Sequence, residues 1–94
     1  MFNLFNKKLP SEKLSEQLEN ELRSMCLKIC KQSSDPMLLG LLVGSAIGEF
    51  GELNKSLPFW VISQKYKLES NFTLRDYENL IDKVLSKIHD EFIE

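Results

Sequence analysis

Between Asp35 and Glu49 the chain runs thirteen residues without a charge, from Pro36 through Met-Leu-Leu-Gly-Leu-Leu-Val-Gly-Ser-Ala-Ile to Gly48. A stretch this apolar on every side reads as a helix with no solvent face, so it is expected to form the central, most buried element. Asp35 is placed to cap its N-terminus. Pro36 takes the first helical position, where a missing N–H costs nothing. The helix is expected over 36–54. As a membrane span the run is short: thirteen residues cover about 20 Å at about 1.5 Å each, against a hydrocarbon core of roughly 30 Å. A buried core helix is the better reading.

Gly40, Gly44 and Gly48 recur every fourth residue within that run. Each interior glycine costs a helix roughly 1 kcal/mol relative to alanine. Three give up about 3 kcal/mol, against a total stability of about 5–15 kcal/mol. Close approach of another backbone, with its van der Waals contact, is the natural offset. Two partners fit: the first or last helix of the same chain, which is the commoner arrangement, or a second copy of this helix. The functional expectation is the second, a self-association seam at Gly40, Gly44 and Gly48. Phe59 and Trp60, directly after Pro58, join the candidate interface as aromatic anchors. A lone tryptophan in a small domain is more often part of the core.

The flanking segments are amphipathic. Leu14, Leu18, Leu22, Met25, Cys26, Ile29 and Cys30 recur at steps of three and four and predict a first helix over 11–32, with Ser11 as N-cap. Its acidic early turns and basic last turn match the helix dipole. Thr73-Leu74-Arg75-Asp76 resembles a capping box. It opens a last helix over 74–92 with Leu74, Tyr77, Leu80, Ile81, Val84, Leu85, Ile88 and Phe92 on one face. The segment between is less regular. Ile62, Gln64, Tyr66 and Leu68 alternate as a strand would, but no second strand pattern exists to pair with it. A short helix over 58–67 is the preferred reading. The fold expected is an all-α, small three- or four-helix antiparallel bundle.

At 94 residues there is room for one domain, 1–94, with 1–10 as a flexible or partner-packing arm. Hydrophobic residues at 43% and charged residues at 28% exclude a disordered chain. A net charge of −2 and a pI near 5.4 argue against nucleic acid as partner, since phosphate neutralisation supplies most of that affinity. Two cysteines four apart and no secretory leader suggest reduced, buried thiols in a cytoplasmic protein. Phe2, Leu4, Phe5 and Leu9, followed or interrupted by Lys7 and Lys8, resemble an interfacial anchor. They are too few to hold a membrane well, and are expected to fold back on the bundle or cover a dimer partner.

Catalytic signals are sparse. Cys26 and Cys30 share a helical face, but His89 is far off in sequence and no other spacing completes a four-ligand metal set. No nucleophilic triad or phosphate-cradling loop is indicated. Glu49 and Glu52 lie three apart on one helical face, where they could share a divalent cation. Glu49-Phe50-Gly51-Glu52-Leu53 resembles the first metal motif of the all-α nucleoside-triphosphate pyrophosphatases, in which an ExxEL helix pairs with an ExxD helix. Here Asn79-Leu80-Ile81-Asp82 stands in the second position. The resemblance implies a metal-dependent enzyme using Glu49, Glu52 and Asp82, although Asn79 replaces one of the family's glutamates. A solvated acidic face accounts for the same residues. The leading expectation is a noncatalytic protein–protein interaction module, a homodimer or other homo-oligomer, with a protein partner and no cofactor.

Overall fold

The computed structural model describes residues 8–93, and among them every regular element is a helix. Helix α1 spans Pro10–Cys30, α2 Pro36–Lys55, α3 Phe59–Tyr66 and α4 Leu74–Phe92. The all-α bundle expected from periodicity is the fold observed. The strand alternative for the third segment is not: Phe59–Tyr66 is an eight-residue helix in which Ile62 and Tyr66, one turn apart, face the core while Gln64 is exposed.

Helix α1 begins one residue before the position expected. Leu9 is the N-cap in extended geometry and Pro10 occupies the first helical position, where proline's restricted φ is already helical. Ser11 is therefore inside the helix and buried. Its N–H and hydroxyl donate to the two carboxylate oxygens of Glu69 at 2.9 and 2.5 Å. The Glu12 carboxylate reaches back to accept from the Leu9 N–H at 3.0 Å. Elsewhere the caps follow the sequence reading. Asp35 accepts from the Met37 N–H at 3.0 Å. Thr73 accepts from the Asp76 N–H at 3.1 Å while Asp76 accepts from the Thr73 N–H at 2.9 Å. Helix α3 ends on Lys67 in the left-handed region, φ 54°. There the Leu68 N–H returns to the Ser63 carbonyl at 3.0 Å, a glycine-type C-terminus made without glycine.

Ion pairs between α1 and α4, Glu19 with Lys87 at 3.0 Å and Arg23 with Glu91 at 2.7 Å, show the two helices running parallel. Helix α2 is antiparallel to α4: Gly44 lies near Ile93, Gly51 against Leu85, and Lys55 bonds Asp82 at 2.6 Å. The core combines Leu14, Leu18, Leu22 and Cys26 of α1 with Val43, Ile47 and Phe50 of α2. Ile62 of α3 and Tyr77, Ile81, Val84 and Ile88 of α4 complete it. Tyr77 keeps its hydroxyl satisfied by donating to the Asn54 carbonyl at 3.0 Å.

Two expectations about α2 are corrected. It is not the most buried element: α1 and α4 supply the side chains with no exposure at all, Leu22, Cys26, Ile81 and Ile88. In a bundle of three long helices each shows one stripe to the centre. Helix α2 carries more apolar side chains than one stripe can hold, and the surplus faces outward. Nor do α1 or α4 cover the glycine row. A methyl group on Gly40 or Gly48 would meet nothing within 4 Å beyond its own helix backbone, and one on Gly44 only Ile93 Cδ1 at 3.9 Å. The close approach occurs instead at buried Gly51, where a methyl carbon would lie 2.6 Å from Leu85 Cδ1.

Candidate interaction face on helix α2

Residues three, four and seven apart on a helix share a face. The inward face of α2 is Val43, Ile47, Phe50 and Gly51. Opposite it stand Leu38, Leu41, Ser45 and Gly48, all exposed, with Met37 and Leu42 beside them and Glu49, Glu52 and Leu53 continuing towards the C-terminus. Met37 is 78% exposed, Leu41 69% and Leu53 66%. Met37 and Leu41 together with Leu38 and Leu42 leave on the order of 400 Å² of contiguous apolar side chain in water, within the range of the largest patch on an ordinary monomer, and Leu53 stands apart beyond Glu49 and Glu52. Small residues, Ser45 and Gly48, form a low saddle between the large side chains of the first two turns and the carboxylates beyond.

The candidate interface residues separate on this geometry. Gly40 and Gly48 are exposed and Gly44 is half-buried at the edge of the face. The aromatic pair divides. Phe59 turns inward, its ring 5.8 Å from Tyr77 and 6.4 Å from Phe72. Trp60, about 100° further round the helix, is 66% exposed beside Val61 and does not enter the core.

Helix α2 is also long and apolar enough, by length and composition alone, to cross a membrane. Its 20 residues amount to about 30 Å, not the 20 Å of the uncharged run, because the helix continues through Glu49 and Glu52. Only 22% of its most apolar 18-residue stretch is buried.

The carboxylates of the pyrophosphatase resemblance do not converge. Glu49 and Glu52 lie in the open beside Leu53 and Ser56. Asp82 is held by Lys55, whose ammonium already occupies the place a cation would take. Asn79 lines a different groove, between α1 and α4, with Ser11, Ser15 and Lys83. Among the described residues no three His, Cys, Asp or Glu side chains come together as a metal set.

The remaining candidates are also dispersed. Cys26 is fully buried, and burial raises its thiol above the ordinary range. Cys30, expected to be buried as well, is exposed: it lies about 40° further round α1 than Cys26, and Ile29 instead keeps the contact with the core. His89 is exposed, 3.9 Å from the Asp90 carboxylate. Of the N-terminal arm, Phe2, Leu4, Phe5 and Lys7 lie outside the described residues. Leu9 is about half exposed at the head of α1.

Sequence reasoning missed Met37, Leu38, Leu41, Leu42 and Leu53 as surface residues. A run apolar all round carries no polar face to mark its outward side, so no signal in it could have found them. Comparison with protein-family models, with curated proteins and with solved structures finds no match for this chain.

Proposed function

We propose that this protein is a small noncatalytic interaction module that self-associates through the outward face of α2. One observation carries the reading. A bundle that already has a closed core presents Met37, Leu38, Leu41 and Leu42 to water on one helix, around a saddle of Ser45 and Gly48. Exposing those side chains is unfavourable by about 25 cal/mol per Å², and a second copy can cover them without any other component. Gly48 then serves the purpose the glycine spacing suggested, admitting a neighbour from another chain, whereas Gly40, only about 60° round the helix from buried Val43, lies off this face. Trp60 lies outside this central patch as a further exposed anchor.

A membrane is the rival occupant. Glu49 and Glu52 lie on or beside the same face, and a carboxylate near a bilayer centre costs roughly 2.5–3.5 kcal/mol, so a protein surface fits better. Cytoplasmic residence agrees with free Cys26 and Cys30.

Light scattering across a concentration series tests the proposal. The wild-type chain is expected to approach twice its 10.9 kDa mass as concentration rises. Leu41→Glu is expected to stay monomeric with unchanged helicity, because Leu41 takes no part in the core. A wild-type protein that remains monomeric at millimolar concentration would refute self-association.

A further inference from the structure

We infer that two copies pair through α2 in an antiparallel, two-fold arrangement, with Leu38 and Leu41 of each copy seated on Gly48 and Ser45 of the other. This rests on the self-association reading above and specifies its partner surface and direction. Leu38, Leu41, Ser45, Gly48 and Glu52 follow one another at steps of three, four, three and four, the spacing of a packed helix seam. All five are exposed. Their sizes are graded along the helix: large at the N-terminal end, small in the middle, charged beyond.

That gradient decides direction. In a parallel pair in register, Leu38 would oppose Leu38 and Leu41 would oppose Leu41, while Ser45 and Gly48 met their own copies across a gap. Glu52 would then face Glu52, and like charges across a helix seam are destabilising. Reversing one helix sets each leucine over a small residue, so the two surfaces interdigitate as close packing requires. It also separates the glutamates. Pairing 38 with 48 and 41 with 45 sets Glu52 of each copy opposite Ser34, just before the N-terminus of the partner's α2, where the helix dipole favours negative charge. Asp35 is the acidic neighbour at that end, with Lys31 on the same connection. The apolar area available, on the order of 400 Å² per copy, is below the roughly 800 Å² per partner of a standard interface. A weak dimer whose population depends on protein concentration is therefore expected.

Disulfide trapping reads the direction. In a Cys30→Ser background, which leaves only buried Cys26, Leu38→Cys and Gly48→Cys are made separately, then mixed and mildly oxidised. In the antiparallel pair, two equivalent positions 38 are about 15 Å apart along the seam, beyond the roughly 7 Å Cα separation a disulfide can bridge. Covalent dimer joining 38 to 48 is expected in the mixture and none from either variant alone. Cross-linking of either variant with itself, with wild-type dimer present by light scattering, would show the parallel arrangement and overturn the inference. So would a wild-type dimer that gives no cross-link in any combination. A monomeric wild-type chain fails the underlying reading instead. Co-sedimentation of that monomer with phosphatidylcholine–phosphatidylserine vesicles would then assign the face to a membrane. Its absence would leave the face to a different protein, and either outcome removes the two-fold pair.

Discussion

Ser11 is buried in the first turn of α1, and both of its donors point at one carboxylate, that of Glu69. A serine after a proline at the start of an amphipathic stretch is a sound N-cap candidate, but a carboxylate 58 positions away takes both its N–H and its hydroxyl. The Ser11 hydroxyl, more than any other group, holds the Glu69 carboxyl below its usual range, with burial pulling the other way. A carboxyl whose folded pKa lies below its unfolded one stabilises the fold above the ordinary carboxylate range. That contribution is lost as pH falls through the folded value. Ser11→Ala is accordingly expected to cost about 1 kcal/mol at neutral pH. Urea denaturation should show the gap from wild type shrinking once the pH falls below about 4. An equal gap at both ends of that range would mean that the pair contributes nothing through charge.

At the scale of elements, the four glycines of α2 differ in what surrounds them, with Gly44 in ordinary contact with Ile93 at 3.9 Å between two extremes. Gly40 and Gly48 stand in open space and Gly51 stands against Leu85. In the monomeric Leu41→Glu background, Gly48→Ala is expected to raise stability by about 1 kcal/mol, the helix-propensity difference. Gly51→Val should lower it by about 1–3 kcal/mol, because α2 and α4 must part or Leu85 must leave its position. Chemical denaturation of the two variants checks both signs. The spacing of four drew attention to Gly40, Gly44 and Gly48 and away from Gly51, which breaks the spacing and makes the tight intrachain contact. Periodicity locates a stripe. It does not say what lies opposite.

For the whole molecule, a dimer held by an exposed helix face couples folding to concentration. Anything that binds only the folded chain raises its thermal midpoint by mass action. The wild-type midpoint is therefore expected to rise with protein concentration, and that of Leu41→Glu to stay flat. Scanning calorimetry over a hundredfold dilution reads the difference, and a flat wild-type series would contradict the assembly. The same scale accounts for Trp60. Phe59 and Trp60 are adjacent and alike in composition, yet Tyr77 and Phe72 lie on one side of α3 only, so one ring is enclosed and the other is left in water.

Most of the local structure was legible in the chain itself. The caps at Asp35 and Thr73, the inward stripe of α1 from Leu14 to Cys26 and that of α4 from Tyr77 to Ile88 follow from contacts within a few residues, which the order of side chains determines. The tertiary structure decided which side of α2 meets α1 and α4, which of two neighbouring aromatics turns inward, and that Glu69 holds Ser11. Each of these depends on groups distant in sequence. A helix that is apolar all round can bury any of its faces at nearly equal gain, so only the shapes of its neighbours select one and leave Leu41 and Gly48 outside.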